Sequence, residues 1–349
     1  MQTLDIDKTL VETAFILYAV GLALTIPIAW SLGANDAANP TDCAVGSGAI
    51  TLRKALLLFA VFTALGAVLQ GHMVMKTIDR GIVPRIEVVG AFAVVVSVCL
   101  WLFLCTWKGM PVSTTHATVG AVVGYGVAAH GIGKINFGVL FNVFVGFAVS
   151  PLAAMIVAIG VLKLLEYGLP KISRNLRFLD KFMAALLIGS LIFSAYSFGA
   201  NDIANVTGVY VTITREVGGM PDMETMIILA LLGSVGIALG GFTWGYRVIE
   251  TAGRKITRLS LSMGVAAELA NALVVYLFTT IPFLLFGWGL PVSTTHSSVG
   301  AIIGAGIGRG AKTVNKSIIL KILAAWMLTL PCAFLISLAM FKFISWLLV

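Results

Sequence analysis

Charge is scarce in this sequence. Asp, Glu, Lys and Arg make up 11% of its 349 residues, where a soluble domain carries about 25%. With 59% apolar residues and a mean hydropathy of +1.02, the composition excludes an ordinary soluble globule. Cysteine is also sparse. Cys43, Cys99, Cys105 and Cys332 lie in or near apolar segments, share no metal-ligand spacing and read as small hydrophobes. A basic leader is missing too. The chain opens MQTLDIDKTLVETAF with Asp5, Asp7 and Glu12, so the first apolar run reads as a retained membrane helix, not a cleaved signal. Period-2 alternation is absent, which argues against a membrane β-barrel. No nucleophile–base–orienter set can be assembled, and Thr-His adjacency does not make one, so an enzyme is not expected. No cofactor is expected.

What the chain has is apolar runs, among them Ala55 to Gln70, Val88 to Trp107, Phe137 to Val161, Met226 to Trp244 and Ile318 to Val349. A helix rises 1.5 Å per residue, so about 20 apolar residues cross the ~30 Å hydrocarbon core. Unpaired backbone amides are not tolerated there, which selects helices. The net charge of +8 would suggest nucleic acid in a soluble protein. Here Lys and Arg sit in loops between apolar runs, where membrane orientation places them, and no nucleic-acid partner is expected.

Two motifs recur in the same order. WSLGANDAANPT (30–41) and YSFGANDIANVT (196–207) share eight of twelve residues; GMPVSTTHATVGAVVGYG (109–126) and GLPVSTTHSSVGAIIGAG (289–306) share twelve of eighteen. The chain therefore divides into a first repeat (1–168), a basic linker (169–180) and a second repeat (181–349). Paired repeats in a helical membrane protein point to a transporter with its site at the repeat interface near the midplane. Loop 76–87 holds Lys76, Arg80 and Arg85 against Asp79 and Glu87, a net of +1; loop 247–258 holds Arg247, Arg254, Lys255 and Arg258 against Glu250, a net of +3. The more basic loop is expected to face the cytoplasm. The linker, with Lys171, Arg174 and Arg177 and then Lys181 just beyond it, joins it there. An acidic N-terminus outside and a basic linker inside need an odd number of crossings per repeat, hence inverted repeats. The expected fold is an all-α polytopic membrane protein of two inverted-topology repeats. It has broken helices, room for a re-entrant hairpin over 109–131, and about ten to twelve membrane segments.

Gly-Ala-Asn-Asp-x-Ala-Asn follows an apolar run in each repeat (Leu10–Trp30 and Phe182–Phe198). Gly, Asn and Asp are poor helix formers, so the motif is expected to interrupt its helix. An ionised Asp at the bilayer centre costs at least about 2.5–3.5 kcal/mol. Asp36 has no Lys or Arg within ten residues on its N-terminal side, and Asp202 none within twelve on either side. A bound cation is the simplest partner, and Na⁺ suits the carboxylates together with the amides of Asn35, Asn39, Asn201 and Asn205. Helix capping is the plainer use of the same residues.

In Pro-Val-Ser-Thr-Thr-His, Pro111 and Pro291 suit a first helical turn. Ser113, Thr114, Ser293 and Thr294 then stand near helix N-termini, where backbone N–H groups and the dipole favour anions. Two hydroxyl clusters, one per repeat, could hold a tetrahedral anion between them; ordinary capping is again the alternative. The glycines that follow (120, 124, 126; 300, 304, 306) suit a broken helix or close helix packing. His116 and His296 read as hydrogen-bonding groups behind the site or as a proton relay. His72 and His130 have no counterparts. Glu268 stands alone in the apolar run GVAAELANALVVYLF and calls for a partner or a cation.

GANDAAN, GANDIAN and the doubled PVSTTH resemble the inorganic phosphate transporter (PiT) family over nearly the whole chain. The resemblance implies a sodium- or proton-coupled phosphate symporter, some relatives carrying sulfate. Asp36, Asp202 and their flanking Asn would bind cation and phosphate; Ser113, Thr114, Thr115, Ser293, Thr294 and Thr295 would bind phosphate. Glu268, in AELANAL, matches a functionally important acid of the family. Many relatives carry Glu after a Phe in their second helix, whereas here Thr63 follows Phe62. The short linker looks prokaryotic. The expectation is a multi-pass protein of the cell (inner or plasma) membrane that imports inorganic phosphate with Na⁺ by alternating access. H⁺ is the alternative coupling ion, sulfate the alternative substrate, and an anion channel the rival class. A homodimer is compatible with this reading.

Overall fold

The computed structural model describes residues 19, 22–173, 175–219, 221–310 and 313–347. The acidic N-terminal residues Asp5, Asp7 and Glu12, and Arg174 of the linker, lie outside them. Every described element is helical. The first repeat contributes α1 (22–36), α2 (Asp42–Gly46), α3 (Leu52–Gln70), α4 (His72–Lys76), α5 (Val88–Trp107), α6 (Thr114–His130) and α7 (Phe137–Ile172). The second contributes α8 (Leu176–Thr207), α9 (Val211–Gly218), α10 (Asp222–Trp244), α11 (Tyr246–Glu250), α12 (Leu261–Phe286), α13 (Thr294–Arg309) and α14 (Lys316–Leu347). A single π-helical turn follows α4 at Thr77–Gly81, and another follows α11 at Thr251–Lys255. α7 ends at Ile172 and α8 begins at Leu176, both within the basic linker 169–180.

Seven of the described helices are long and apolar enough to cross a membrane. The expected range is about ten to twelve segments; α6 and α13, of 17 and 16 residues, are shorter than these seven. The outer surface confirms the solvent. On α3 the stripe Leu57, Val61, Leu65 and Leu69 is exposed while Phe59, Thr63 and Gly66 are buried. A helix apolar on its exposed face belongs in lipid. α7 and α14 span 36 and 32 residues, longer than the hydrocarbon core; α7 carries internal Pro151 and Pro170, and α14 carries Pro331.

The repeats interlock by exchanging partners. α6 packs on α14 and α13 on α7; α3 packs on α8 and α10 on α1. This reciprocal exchange is the packing of inverted repeats. The glycines after PVSTTH make it close: Gly120 and Gly124 lie on the backbone of Leu330 and Phe334, and Gly300 and Gly304 on that of Pro151 and Met155. A Cβ at any of them would meet main chain, so the packing use expected of these glycines holds.

The expected interruption at GANDxAN is found in one repeat and displaced in the other. α1 ends at Asp36 and the chain turns over 37–41 before α2. In the second repeat α8 runs through the motif to Thr207, and the break follows at Gly208–Tyr210. Within that last turn Asn205 donates to Asp202 Oδ1 at 3.0 Å; the first copy has Pro40 where this one has Val206, and a proline there has no N–H for the Asp36 carbonyl and clashes with it.

Candidate functional site

The four copies of the two motifs meet at the centre of the bundle. The end of α1 supplies Asn35 and Asp36, the following turn Asn39, and the last turns of α8 supply Asn201, Asp202 and Asn205. The N-termini of α6 and α13 supply the hydroxyls. All six acids and amides, and Ser113, Thr114, Thr115, Ser293, Thr294 and Thr295, are buried.

Hydrogen bonds repeat across the halves. Asn35 Nδ2 donates to Thr106 Oγ1 (2.9 Å) and to the Met110 carbonyl (3.1 Å); Asn201 Nδ2 donates to Thr279 Oγ1 (2.7 Å) and to the Leu290 carbonyl (3.2 Å). Thr115 donates to the Val292 carbonyl at 3.0 Å and Thr295 to the Val112 carbonyl at 3.1 Å, so each hydroxyl pins the chain just before the other hydroxyl cluster. Asn39 Nδ2 reaches Thr294 and Thr295 of the second repeat, and Asn205 Nδ2 reaches Thr115 of the first. Ser113 and Ser293 cap α6 and α13 by accepting the N–H of His116 and His296, each at 3.1 Å. Their lone pairs serve the cap while the hydroxyl hydrogens remain free to donate.

The symmetry breaks at the acceptors. In the first repeat Asn35 Oδ1 accepts from the Val112 N–H (3.1 Å), and Asp36 accepts from Thr114 (2.5 Å) and Thr295 (3.4 Å). In the second, Asn201 Oδ1, Asp202 Oδ2 and Asn205 Oδ1 are buried without a donor. Buried acceptors are ordinarily paired. Among the described residues no Lys or Arg bonds to Asp36 or Asp202. Neutral and anionic oxygens turned inward with no donor form a hard-cation ligand set.

A second cluster surrounds Glu268 on α12. Asp42, Cys43 and Glu268 each place one potential ligand atom within 4.8 Å of the others. Both Glu268 oxygens and Asp42 Oδ1 lack donors, while Ser298 donates to Asp42 Oδ2 at 3.2 Å. Asn271, one turn on from Glu268, donates to Ser194 (3.1 Å) and to the Asn39 carbonyl (3.2 Å), which ties this cluster to the first. Asp42, Asn271, Ser298, Thr106 and Thr279 were not singled out from the sequence. Asp42 carried a signal, an acid six residues past Asp36 beside an apolar run; the hydroxyls carried none. Thr63 donates to the Ala195 carbonyl at 3.2 Å, a plain interhelical bond.

His116 and His296 stand behind the hydroxyl clusters and against each other, ring centres 4.4 Å apart. His296 stacks on Trp326 at 3.7 Å and His116 lies edge-on to Phe147 at 3.9 Å.

Interlocked repeats around a buried, donor-poor oxygen cluster and two hydroxyl-bearing helix N-termini define a secondary transporter. Residues 32–184 and again 172–337 match the phosphate transporter family. The chain is 33% identical to a protein of Pyrococcus abyssi described as "Putative phosphate permease", over 92% of this chain and 96% of that one. It is 28% identical to a protein of the same description from Chlamydia trachomatis, over 90% and 95% of the two chains. A solved structure titled "The sodium-dependent phosphate transporter" superposes with a TM-score of 0.84 at 28% identity, over 95% of this chain and 99% of that chain. The chain belongs to the phosphate transporter family: it is a multi-pass membrane protein that carries phosphate by secondary transport, and not an enzyme.

Proposed function

We propose that this protein imports hydrogenphosphate together with Na⁺ by alternating access. The observation that carries the reading is the set of buried acceptors without donors on the second GANDxAN motif, Asn201 Oδ1, Asp202 Oδ2 and Asn205 Oδ1. Na⁺ fits them, and Asn35, Asp36 and Asn39 form the pseudo-symmetric set. Phosphate sits between Ser113, Thr114 and Thr115 on one side and Ser293, Thr294 and Thr295 on the other, with the N-termini of α6 and α13 supplying backbone N–H groups. Glu268 and Asp42 hold a further cation. The structure solved for the sodium-dependent phosphate transporter supports Na⁺ as the ion.

The hydrogen bonds suggest how the two cargoes couple. Thr114 and Thr295 spend their single O–H hydrogens on Asp36 and on the Val112 carbonyl. A Na⁺ ion on Asp36 competes for the same carboxylate lone pairs and turns the Thr114 hydroxyl toward the anion. Phosphate in turn adds negative charge beside Na⁺. Each cargo therefore raises affinity for the other, and by linkage the effect is reciprocal.

The working chain is taken as two repeats, 1–168 and 181–349, joined by the cytoplasmic linker 169–180, in the cell membrane of a prokaryote, with homodimer assembly as a further expectation. His116 and His296 support the hydroxyl-bearing helices and are not the coupling groups.

Labelled-phosphate uptake into proteoliposomes tests the reading. Accumulation driven by an inward Na⁺ gradient and unaffected by sulfate is the expected result. Accumulation driven by a pH gradient alone replaces Na⁺ with H⁺. Absence of phosphate uptake under either gradient, with sulfate taken up instead, overturns the substrate.

A further inference from the structure

The two ends of the pseudo-symmetric bundle differ in charge, and the difference is concentrated at one seam. At that seam α2 lies against the π-helical turn Thr251–Lys255. Gly46 abuts the Gly253 backbone, and a Cβ on Gly253 would come 2.5 Å from the carbonyl oxygen of Asp42. This glycine-on-glycine contact brings the buried α2 residue Asp42 against the turn. Outside it open three adjoining cavities of about 380, 550 and 400 Å³, and Arg254 lines all three. Arg258 lines two of them and Lys54 a third wall. Lys54, Arg254 and Arg258 are exposed, and among the described residues none of them has an ion-pair partner.

The matching place in the other repeat, the turn Thr77–Gly81, borders a smaller cavity of about 230 Å³ with Lys76 beside Thr77, Gly81, Val139 and Trp288. Membrane orientation explains why Lys and Arg are more frequent at one end. It does not explain why cations without ion-pair partners among the described residues line adjoining clefts beside the α2 contact.

We propose that Lys54, Arg254 and Arg258 form an anion-capture site at the cytoplasmic mouth of the pathway, which receives the phosphate oxyanion after it passes the α2 seam on import. The proposal rests on the phosphate-symport reading above. A cleft lined by one sign of charge, with low-dielectric walls, concentrates a counter-ion of opposite sign. A doubly charged hydrogenphosphate gains more from it than a singly charged anion. The site is a docking point in water and differs from the buried hydroxyl clusters, which bind phosphate without cationic side chains. The phosphate of an anionic lipid headgroup shares the chemistry, so the test must separate the two sources.

The experiment uses the full chain in proteoliposomes of neutral phosphatidylcholine, of uniform orientation, with KM for phosphate measured on each face. The variant Arg254→Gln/Arg258→Gln should raise KM about three- to tenfold on the mouth side at about 0.01 M ionic strength, where the Debye length is about 30 Å. Choline chloride at about 1 M and fixed Na⁺ should erase the difference, since the Debye length falls to about 3 Å. Vmax, the KM for Na⁺ and the KM on the other face should hold. Arg254→Lys should behave as wild type, and Lys76→Gln should leave the mouth-side KM unchanged. An unchanged KM on both faces, with wild-type uptake intact, overturns the capture site and leaves symport standing. An effect that needs anionic phosphatidylglycerol and falls on Vmax makes the patch a lipid seat and overturns it as well. Failure of the wild-type protein to take up phosphate removes the symport reading and this one with it.

Discussion

Asn39 donates to Thr294 across 3.0 Å, a bond between the first repeat's turn and the second repeat's hydroxyl cluster. Its pseudo-symmetric counterpart runs from Asn205 to Thr115 at 3.1 Å. The proposed cargo site is therefore held together by bonds that cross the repeat boundary. Neither half can build the site by itself, and rearranging one half against the other changes the site directly.

Asp36→Asn tests the carboxylate. The amide keeps the volume and can still accept from Thr114, but offers no charge to a buried cation. Removing one partner of a buried charge pair costs about 3–5 kcal/mol, so Na⁺-driven phosphate uptake should fall by about 10²-fold or more. The unfolding midpoint in detergent should move little. Normal uptake by this variant would remove Asp36 from the mechanism.

Thr114→Val tests the coupling. With the 2.5 Å hydroxyl contact to Asp36 gone, the phosphate KM should rise about tenfold, the loss of one hydrogen bond to a charged group. The distinguishing readout is the Na⁺ dependence of phosphate binding, which should flatten. A variant that binds phosphate less tightly but keeps the full Na⁺ dependence would show that the hydroxyl only binds and does not couple.

Glu268→Gln separates the second acid cluster from the first. Both oxygens of Glu268 lack donors beside Asp42, whereas the hydroxyl clusters do not touch it. The KM for Na⁺ should rise about tenfold or more, as a buried charged ligand is lost, while the phosphate KM at saturating Na⁺ holds. A rise in phosphate KM that saturating Na⁺ does not relieve would place Glu268 with the anion.

His116→Gln/His296→Gln should keep the pH profile of uptake and lose transition midpoint or rate. The rings are packed between Trp326 and Phe147, and the backbone N–H of each residue, not its ring, serves the cap. A profile that loses its pH dependence in this variant would restore the proton relay.

Gly304→Ala should lower the unfolding midpoint, because the new Cβ meets the Met155 backbone at the α13–α7 crossing; overpacking of this kind costs about 1–3 kcal/mol. Gly160→Ala on α7 meets nothing within 4 Å and should be neutral or stabilising by about 0.5–1 kcal/mol, the helix preference for Ala over Gly. Equal midpoints for the two variants would contradict the packing.

Much of this protein was legible before folding. Long uncharged runs can only be satisfied as helices in lipid, because the backbone has no other partner there. Duplication of GANDxAN and PVSTTH fixed which residues would share a site, since symmetry brings equivalent positions to a common axis. Helix caps at Ser113 and Ser293 followed from the local chemistry of Pro-Val-Ser. Three-dimensional packing decided the rest. Asp42 joined Glu268 only because α2 is folded back against α12, more than 200 positions away in sequence. The cluster of cations beside Gly46 and Gly253, without ion-pair partners among the described residues, is likewise invisible in one dimension, where Lys54 and Arg254 are distant members of unrelated loops. Sequence carries local preference and symmetry; which unmatched charges end as neighbours is set by long-range packing.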